Sequence, residues 1–299
     1  MLSDDEIEQI LAKKNAHERD SRITFNEERH EYHVDGKLIP VSISGVWASF
    51  CTEHFDAPEV LKRALPKWSK DPKSKYFELI KFIRICMGVS DDHEVARIIE
   101  AYWSKNGDTQ SSLGTQTHRE CELHANYPDY KPPKMTKEFQ QYLNFRADHP
   151  HLTPYRTEWS VFHTKANVAG QIDAIFYNEN TNKLEMIDHK RCANLETTSP
   201  FKKQMMKAPF DTLEDIQLSH YYAQQNLYRV ILQDEYGIEI DGCKLLQLHP
   251  SQEDYRLLFV PDMREQARAA LAMYPKSDGE RAPKKPRLTI DIKATVRTI

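Results

Sequence analysis

Two short runs hold the residues best suited to chemistry: Gly170-Gln171-Ile172-Asp173 and Asp188-His189-Lys190. Each lies in or closes an apolar stretch, Val168-Ala169 and Ile172 around the first, Leu184, Met186 and Ile187 before the second. Between them, Tyr177-Asn178-Glu179-Asn180-Thr181-Asn182 is rich in turn formers. The pattern reads as a β-hairpin with one carboxylate on each strand. Residues i and i+2 of a strand share a face, so Asp188 and Lys190 emerge side by side. With Asp173 across the ladder, two carboxylates and one ammonium converge, which suits a divalent metal and a scissile phosphate. An Asp-x-Lys on an exposed strand is ordinarily a solvated pair. Here the apolar residues leading into it, and the Gly170–Asp173 run upstream, favour the metal reading.

The arrangement resembles the PD-(D/E)XK nuclease superfamily, in particular its RecB-like and phage exonuclease-like branch. That branch carries G-x-x-D on one strand and D/E-x-K on the next, as at 170–173 and 188–190. Gly114-Thr115-Gln116-Thr117-His118 fits an upstream G-x-x-x-H that supplies a histidine ligand, and Gln224-Gln225-Asn226-Leu227-Tyr228 fits a downstream helical Q-x-x-x-Y. Gln217 and Tyr221 form a competing pair at the same spacing. The later pair is preferred, because Leu227, Tyr228, Ile231 and Leu232 run on to Tyr236-Gly237, a helix-end pattern. The likeness spans roughly residues 110–240. It implies an α/β fold with a restriction-endonuclease-like core, a mixed central sheet flanked by helices, and a mainly helical N-terminal elaboration. The expected divisions are 1–110 for that elaboration, 111–274 for the core and 275–299 for a basic tail.

Phosphodiester hydrolysis needs a nucleophilic water at neutral pH and compensation for charge on phosphorus and the leaving oxygen. Mg²⁺ or Mn²⁺ held by carboxylates does both. Asp173 and Asp188 are the expected ligands, with His118 as a nitrogen ligand that suits Mn²⁺ better than Mg²⁺. The resemblance implies that the backbone carbonyl of His189 completes the shell. Lys190 would hold the attacking water or neutralise the phosphate. Gln224 and Tyr228, one helical turn apart, would reach the DNA or the water. Glu158, expected to start the strand before the hairpin, would add a carboxylate to the metal or orient the lysine. Glu122, one turn after His118, reads as supporting the site or, more simply, as a solvated helix position.

The chain departs from the pattern after the lysine, where the family often has Thr and this sequence has Arg191. Arg191 is expected to contact phosphate, and Lys202, Lys203 and Lys207 in the following loop to grip the DNA backbone. A solvated loop packing Met205, Met206 and Phe210 on the domain is the alternative.

Composition sets the limits. The chain has 299 residues, a net charge of −4 and 39% hydrophobic residues, enough for a real core. Mean hydropathy is −0.70. The charge balance argues against a surface coated in positive potential but leaves room for a local DNA track. No apolar run is long enough for a membrane span, and the acidic start is unlike a signal peptide. The five cysteines, Cys51, Cys86, Cys121, Cys192 and Cys243, are scattered. That spacing fits an intracellular, reducing compartment and predicts neither a zinc ribbon nor an iron–sulfur cluster. Lys284-Lys285-Pro286-Arg287 weakly matches a nuclear localisation signal; phosphate contact and a plain solvated tail are the alternatives.

The expected activity is therefore metal-dependent hydrolysis of DNA, as an exonuclease in recombination, replication or repair, with a recombination or annealing protein as partner. An RNA endonuclease of the cap-snatching type ranks second, because its lysine lies far from the last carboxylate. A nucleic-acid-binding protein that keeps the fold without turnover is the non-enzyme alternative.

Overall fold

The computed structural model describes residues 2–52, 56–195 and 204–274. They form two compact units: residues 2–52 with 114–274, and residues 56–113. The sequence-based division kept 1–110 together. Residues 2–52 instead belong to the larger unit, because Ile23, Tyr32, Ile43 and Val46 are buried in the same core as the sheet residues Val161, Ile172 and Ile175. The tail from 275, and Lys202 and Lys203, lie outside the described residues.

Helix α1 (Asp4–Lys14) begins at a capping box in which Ser3 and Glu6 satisfy each other's backbone N–H groups. Strands β1 (Ile23–Asn26), β2 (Glu31–Val34) and β3 (Lys37–Leu38) make a small antiparallel sheet. The chain turns between β2 and β3 at Asp35-Gly36, both with positive φ (50° and 74°), as a two-residue hairpin turn demands. Strand β4 (Val41–Ser42) leads into α2 (Ile43–Ala48), capped by the Ser42 hydroxyl accepting from Gly45 N–H. The smaller unit contains α3 (Ala57–Trp68), α4 (Phe77–Cys86) and the first part of α5 (Asp92–Asn126). Leu61, Leu65, Ile80, Ile83, Val95 and Ile99 recur at helical spacing and form its core.

The larger unit continues with α6 (Lys137–Asp148), β5 (Leu152–His163), β6 (Val168–Asn178), β7 (Lys183–Lys190), α7 (Gln217–Tyr236), β8 (Ile240–Gln247), β9 (Arg256–Val260) and α8 (Arg264–Ala272). The fold is α/β: a mixed six-stranded sheet flanked by helices. Strand β5 pairs antiparallel with β6 along its whole length. The opposite edge of β6 is shared, with β4 parallel to Val168 and Ala169 and β7 antiparallel from Ala174 to Asn178. The four residues between those pairings are Gly170, Gln171, Ile172 and Asp173. Strands β7 and β8 are parallel, which requires a crossover, and α7 lies within it.

Each face of the sheet is covered. Helices α2, α7 and α8 pack on one side through Ile43, Leu227, Val230, Ile231, Ala267 and Leu271, against Ile175 and Met186. The end of α5 and α6 pack on the other through Cys121, Phe139, Tyr142 and Phe145, against Phe176 and Ile187. The period-two alternation of Met186 and Ile187 thus decides what surrounds the three residues that follow. Among the described residues no helix is long and apolar enough to cross a membrane.

Candidate active site

At the end of β7, alternation continues: Asp188 and Lys190 follow Met186 toward α7, while His189 follows Ile187 toward α5 and α6. Lys190 Nζ lies 2.6 Å from Asp188 Oδ2, with both side chains largely buried. Gln225 of α7 donates from Nε2 to Asp188 Oδ1 at 2.8 Å, and the ring of Tyr221 lies under Lys190 Nζ at 4.6 Å from its centroid. Gln217 in turn donates to the Tyr221 hydroxyl at 2.7 Å.

Asp173 stands where β6 and β7 part. Its Oδ2 accepts the backbone N–H of His189 at 2.8 Å and lies 3.4 Å from Nδ1 of His118 on α5. The His189 ring meets His118 and Tyr142 edge to face, each at 5.8 Å. Both of its ring nitrogens are buried without a hydrogen-bond partner among the described residues. His118, Asp173 and His189 bring one donor atom each within 4.8 Å of one another.

Glu158 is not at a strand start. It sits midway along β5, between the pairs Thr157–Ala174 and Trp159–Ile172, so that Asp173 lies on the same rung. Its φ is 42°, a left-handed conformation that costs a side-chain-bearing residue about 1–3 kcal/mol. Gln171 secures the kink by donating to the Glu158 carbonyl at 3.0 Å. The Glu158 carboxylate lies 3.9 Å from His118 Nδ1.

These groups set one another's protonation. Burial, then Asp173, Glu122 and Asp188, push Glu158 well above the ordinary carboxylate range. Burial and Asp173 raise Asp188 to about 7 even with Lys190 beside it. Burial also works against Asp173, but His118 and Lys190 outweigh it and hold it low. Lys190 is buried, yet Asp188 and Asp173 more than compensate and keep it firmly protonated. Burial depresses His189 to about 3, so its imidazole is neutral and its lone pair free to bind a cation. A neutral histidine with unpartnered ring nitrogens, next to two carboxylates that cannot comfortably both ionise, is a donor set that fits a divalent metal.

Other expected residues lie elsewhere. Tyr228 is buried in the core, where the Gln171 backbone N–H bonds its hydroxyl while Asp173 and Asp188 act on it only through their charge. Gln224 is half-buried and makes no hydrogen bond to Asp173, Asp188 or Lys190 among the described residues. Gln225 and Tyr221 take the places assigned to them. Arg191 pairs with buried Glu138 at 2.8 Å, away from solvent, because the residue after Lys190 alternates back toward α6. Lys207 is exposed, and its backbone N–H donates to Phe50, while Met206 and Phe210 enter the core. Glu122 is not a solvated position: burial and Glu8 lift its carboxyl to about 8, beside Thr157. Compared with models of known families and with curated proteins, the chain matches none.

Proposed function

We propose that this chain is a metal-dependent deoxyribonuclease with a restriction-endonuclease-like core, acting on DNA ends in recombination, replication or repair. One observation carries the reading: His118 pairs with Asp173 and Lys190 with Asp188 where two strands part, and the charges of Asp173, Asp188 and Lys190 act on one another. Mg²⁺ or Mn²⁺ bound there supplies Lewis acidity and lowers the pKa of a coordinated water. Asp173 and Asp188 would hold it with His118 and the backbone carbonyl of His189 expected from sequence, while the His189 imidazole, on the α5 and α6 side, is within reach of an ion held by His118 and Asp173.

Lys190 stays charged, so its part is electrostatic: it faces the phosphate as negative charge builds and does not take the proton of the attacking water. Asp188 is kept in place by Gln225 and Lys190 together, which fixes one carboxylate oxygen each. Tyr221 limits where the lysine ammonium can swing. Burial of the cluster excludes water and strengthens each of these interactions. The compact Asp188–Lys190 pair supports DNA cleavage over the cap-snatching type of RNA cleavage, whose lysine stands apart.

The test is cleavage of labelled linear and closed-circular DNA with Mg²⁺ or Mn²⁺, for the wild type and Asp188→Ala. Degradation of the linear form alone, lost in the variant, supports an end-dependent exonuclease. Cutting of the circle makes it an endonuclease. Equal activity in the variant, or none in the wild type with either metal, defeats the proposal.

A further inference from the structure

A second group of donor atoms lies outside the acidic cluster. Cys51, Asp215 and His220 bring a thiol sulfur, a carboxylate oxygen and an imidazole nitrogen within 4.8 Å of one another. Cys51 follows α2, and Asp215 and His220 flank the start of α7. Cys51 Sγ is 3.3 Å from His220 Nε2, and the same Nε2 is 2.5 Å from Asp215 Oδ1.

Convergence on one nitrogen decides between two chemistries. A nucleophilic Cys–His–Asp relay places the thiol and the carboxylate on opposite ring nitrogens, one to give up a proton and one to orient the ring. That geometry is absent here. Three donor atoms of these types within 4.8 Å of one another are what a cation entering between them requires. The surrounding residues orient them for it: Thr52 donates to Asp215 Oδ2 from its backbone N–H at 2.6 Å and from its hydroxyl at 2.7 Å, which turns Oδ1 toward the histidine. Trp47 stacks on the His220 ring at 4.7 Å and 19° and fixes its plane. Such outer partners are characteristic of ligating side chains.

We propose that Cys51, Asp215 and His220 form a site for a thiophilic divalent cation, Zn²⁺ above all, separate from the nuclease centre. Sulfur, nitrogen and oxygen together select Zn²⁺ over Mg²⁺. The Sγ–Nε2 spacing of 3.3 Å is close to the roughly 3.5 Å edge of a tetrahedron with bonds of about 2.0–2.3 Å. The Nε2–Oδ1 pair, 2.5 Å apart, must open to about 3.3 Å as the cation enters, and water completes the tetrahedron. The ion would tie the end of α2 to the first turn of α7, the helix whose next residues are Tyr221 and Gln225. The inference does not depend on the nuclease reading.

The experiment uses the full chain, stripped of metal and titrated with Co²⁺, an optical substitute for Zn²⁺. The expected result is a near-ultraviolet thiolate-to-cobalt band whose amplitude at saturation corresponds to one thiolate-bound Co²⁺ per chain, displaced by Zn²⁺. Cys51→Ser loses the near-ultraviolet band and binds Zn²⁺ at least about tenfold more weakly, whereas Asp188→Ala keeps both. Asp215→Asn preserves shape and the Thr52 hydrogen bonds, so it covers the case of a misfolded serine variant. It is expected to keep the thiolate band while losing about tenfold in Zn²⁺ affinity. No thiolate band in the wild type, or a band unchanged in folded Cys51→Ser, overturns the site.

Discussion

The hydroxyl of Tyr228 fills the space in which a side chain at Gly170 would begin: a Cβ there would lie 2.6 Å from it and 3.0 Å from Ile43 Cγ1. The glycine of the G-x-x-D run is thus set by packing from the opposite helix, not by backbone conformation. Gly170→Ala is expected to destabilise by about 1–3 kcal/mol through overpacking. Adding Tyr228→Phe should recover part of the loss. Denaturant unfolding of the single and double variants measures both.

Gln225, not Gln224, holds Asp188. Gln225→Ala should cut DNA cleavage by roughly 10- to 100-fold, the usual effect of removing a partner of a ligating carboxylate. Gln224→Ala should leave it nearly unchanged. Steady-state rates at saturating Mn²⁺, repeated across metal concentrations, separate a weaker metal site from a slower step.

Burial and Asp173 push the Asp188 carboxyl up to about 7, so with the proposed metal at this site protons and metal would compete for it. The folded-state pKa is raised, so the carboxyl is protonated below about 7 and a cation must displace that proton. Apparent metal affinity is expected to rise through pH 6–7 by up to about tenfold per unit and to level off above it. The Mn²⁺ midpoint for cleavage, measured from pH 6 to 8.5, checks the slope; a flat profile would exclude this protonation state. The same shift makes the metal-free protein less stable as pH rises toward 7.

The Arg191 side chain, a phosphate contact by its place in the sequence, is instead buried against Glu138. Arg191→Ala should cost about 3–5 kcal/mol of stability by stranding a buried carboxylate. DNA affinity of the protein that remains folded should change little. Thermal melting and filter binding at one salt concentration distinguish the two roles.

The hairpin, its two carboxylates and its lysine were legible because alternation, turn residues and an apolar lead-in all agree on 168–190. The choice along α7 was not. Gln217/Tyr221 and Gln224/Tyr228 share one spacing, and α7 is buried around most of its circumference, with Gln225, Asn226 and Arg229 as inaccessible as Leu227 and Val230. Periodicity then marks no face. Topology would have decided it. In a crossover between parallel strands the helix runs back over the sheet, so its first turns lie above the strand ends that carry Asp188 and Lys190. Gln217, Tyr221 and Gln225 follow one another at i+4 along that side. The burial of Arg191 escaped for a different reason, since its partner Glu138 is distant in sequence. The kink at Glu158 leaves no compositional trace: nothing in Thr157-Glu158-Trp159 announces a positive φ.

The shared edge of β6 has a consequence for how this chain can vary in length. Residues 170–173 are bracketed on the same edge by β4 and by β7. Inserting or deleting one residue there would break register with one bracket and swing Asp173 to the opposite face. The turn at 179–182 is held by local hydrogen bonds and by the Glu179 backbone N–H donating to His151 but has no such double strand anchor, so a change of length there leaves the site's register intact. Divergent copies of this chain should therefore differ in length at the hairpin tip while the four-residue window keeps its count.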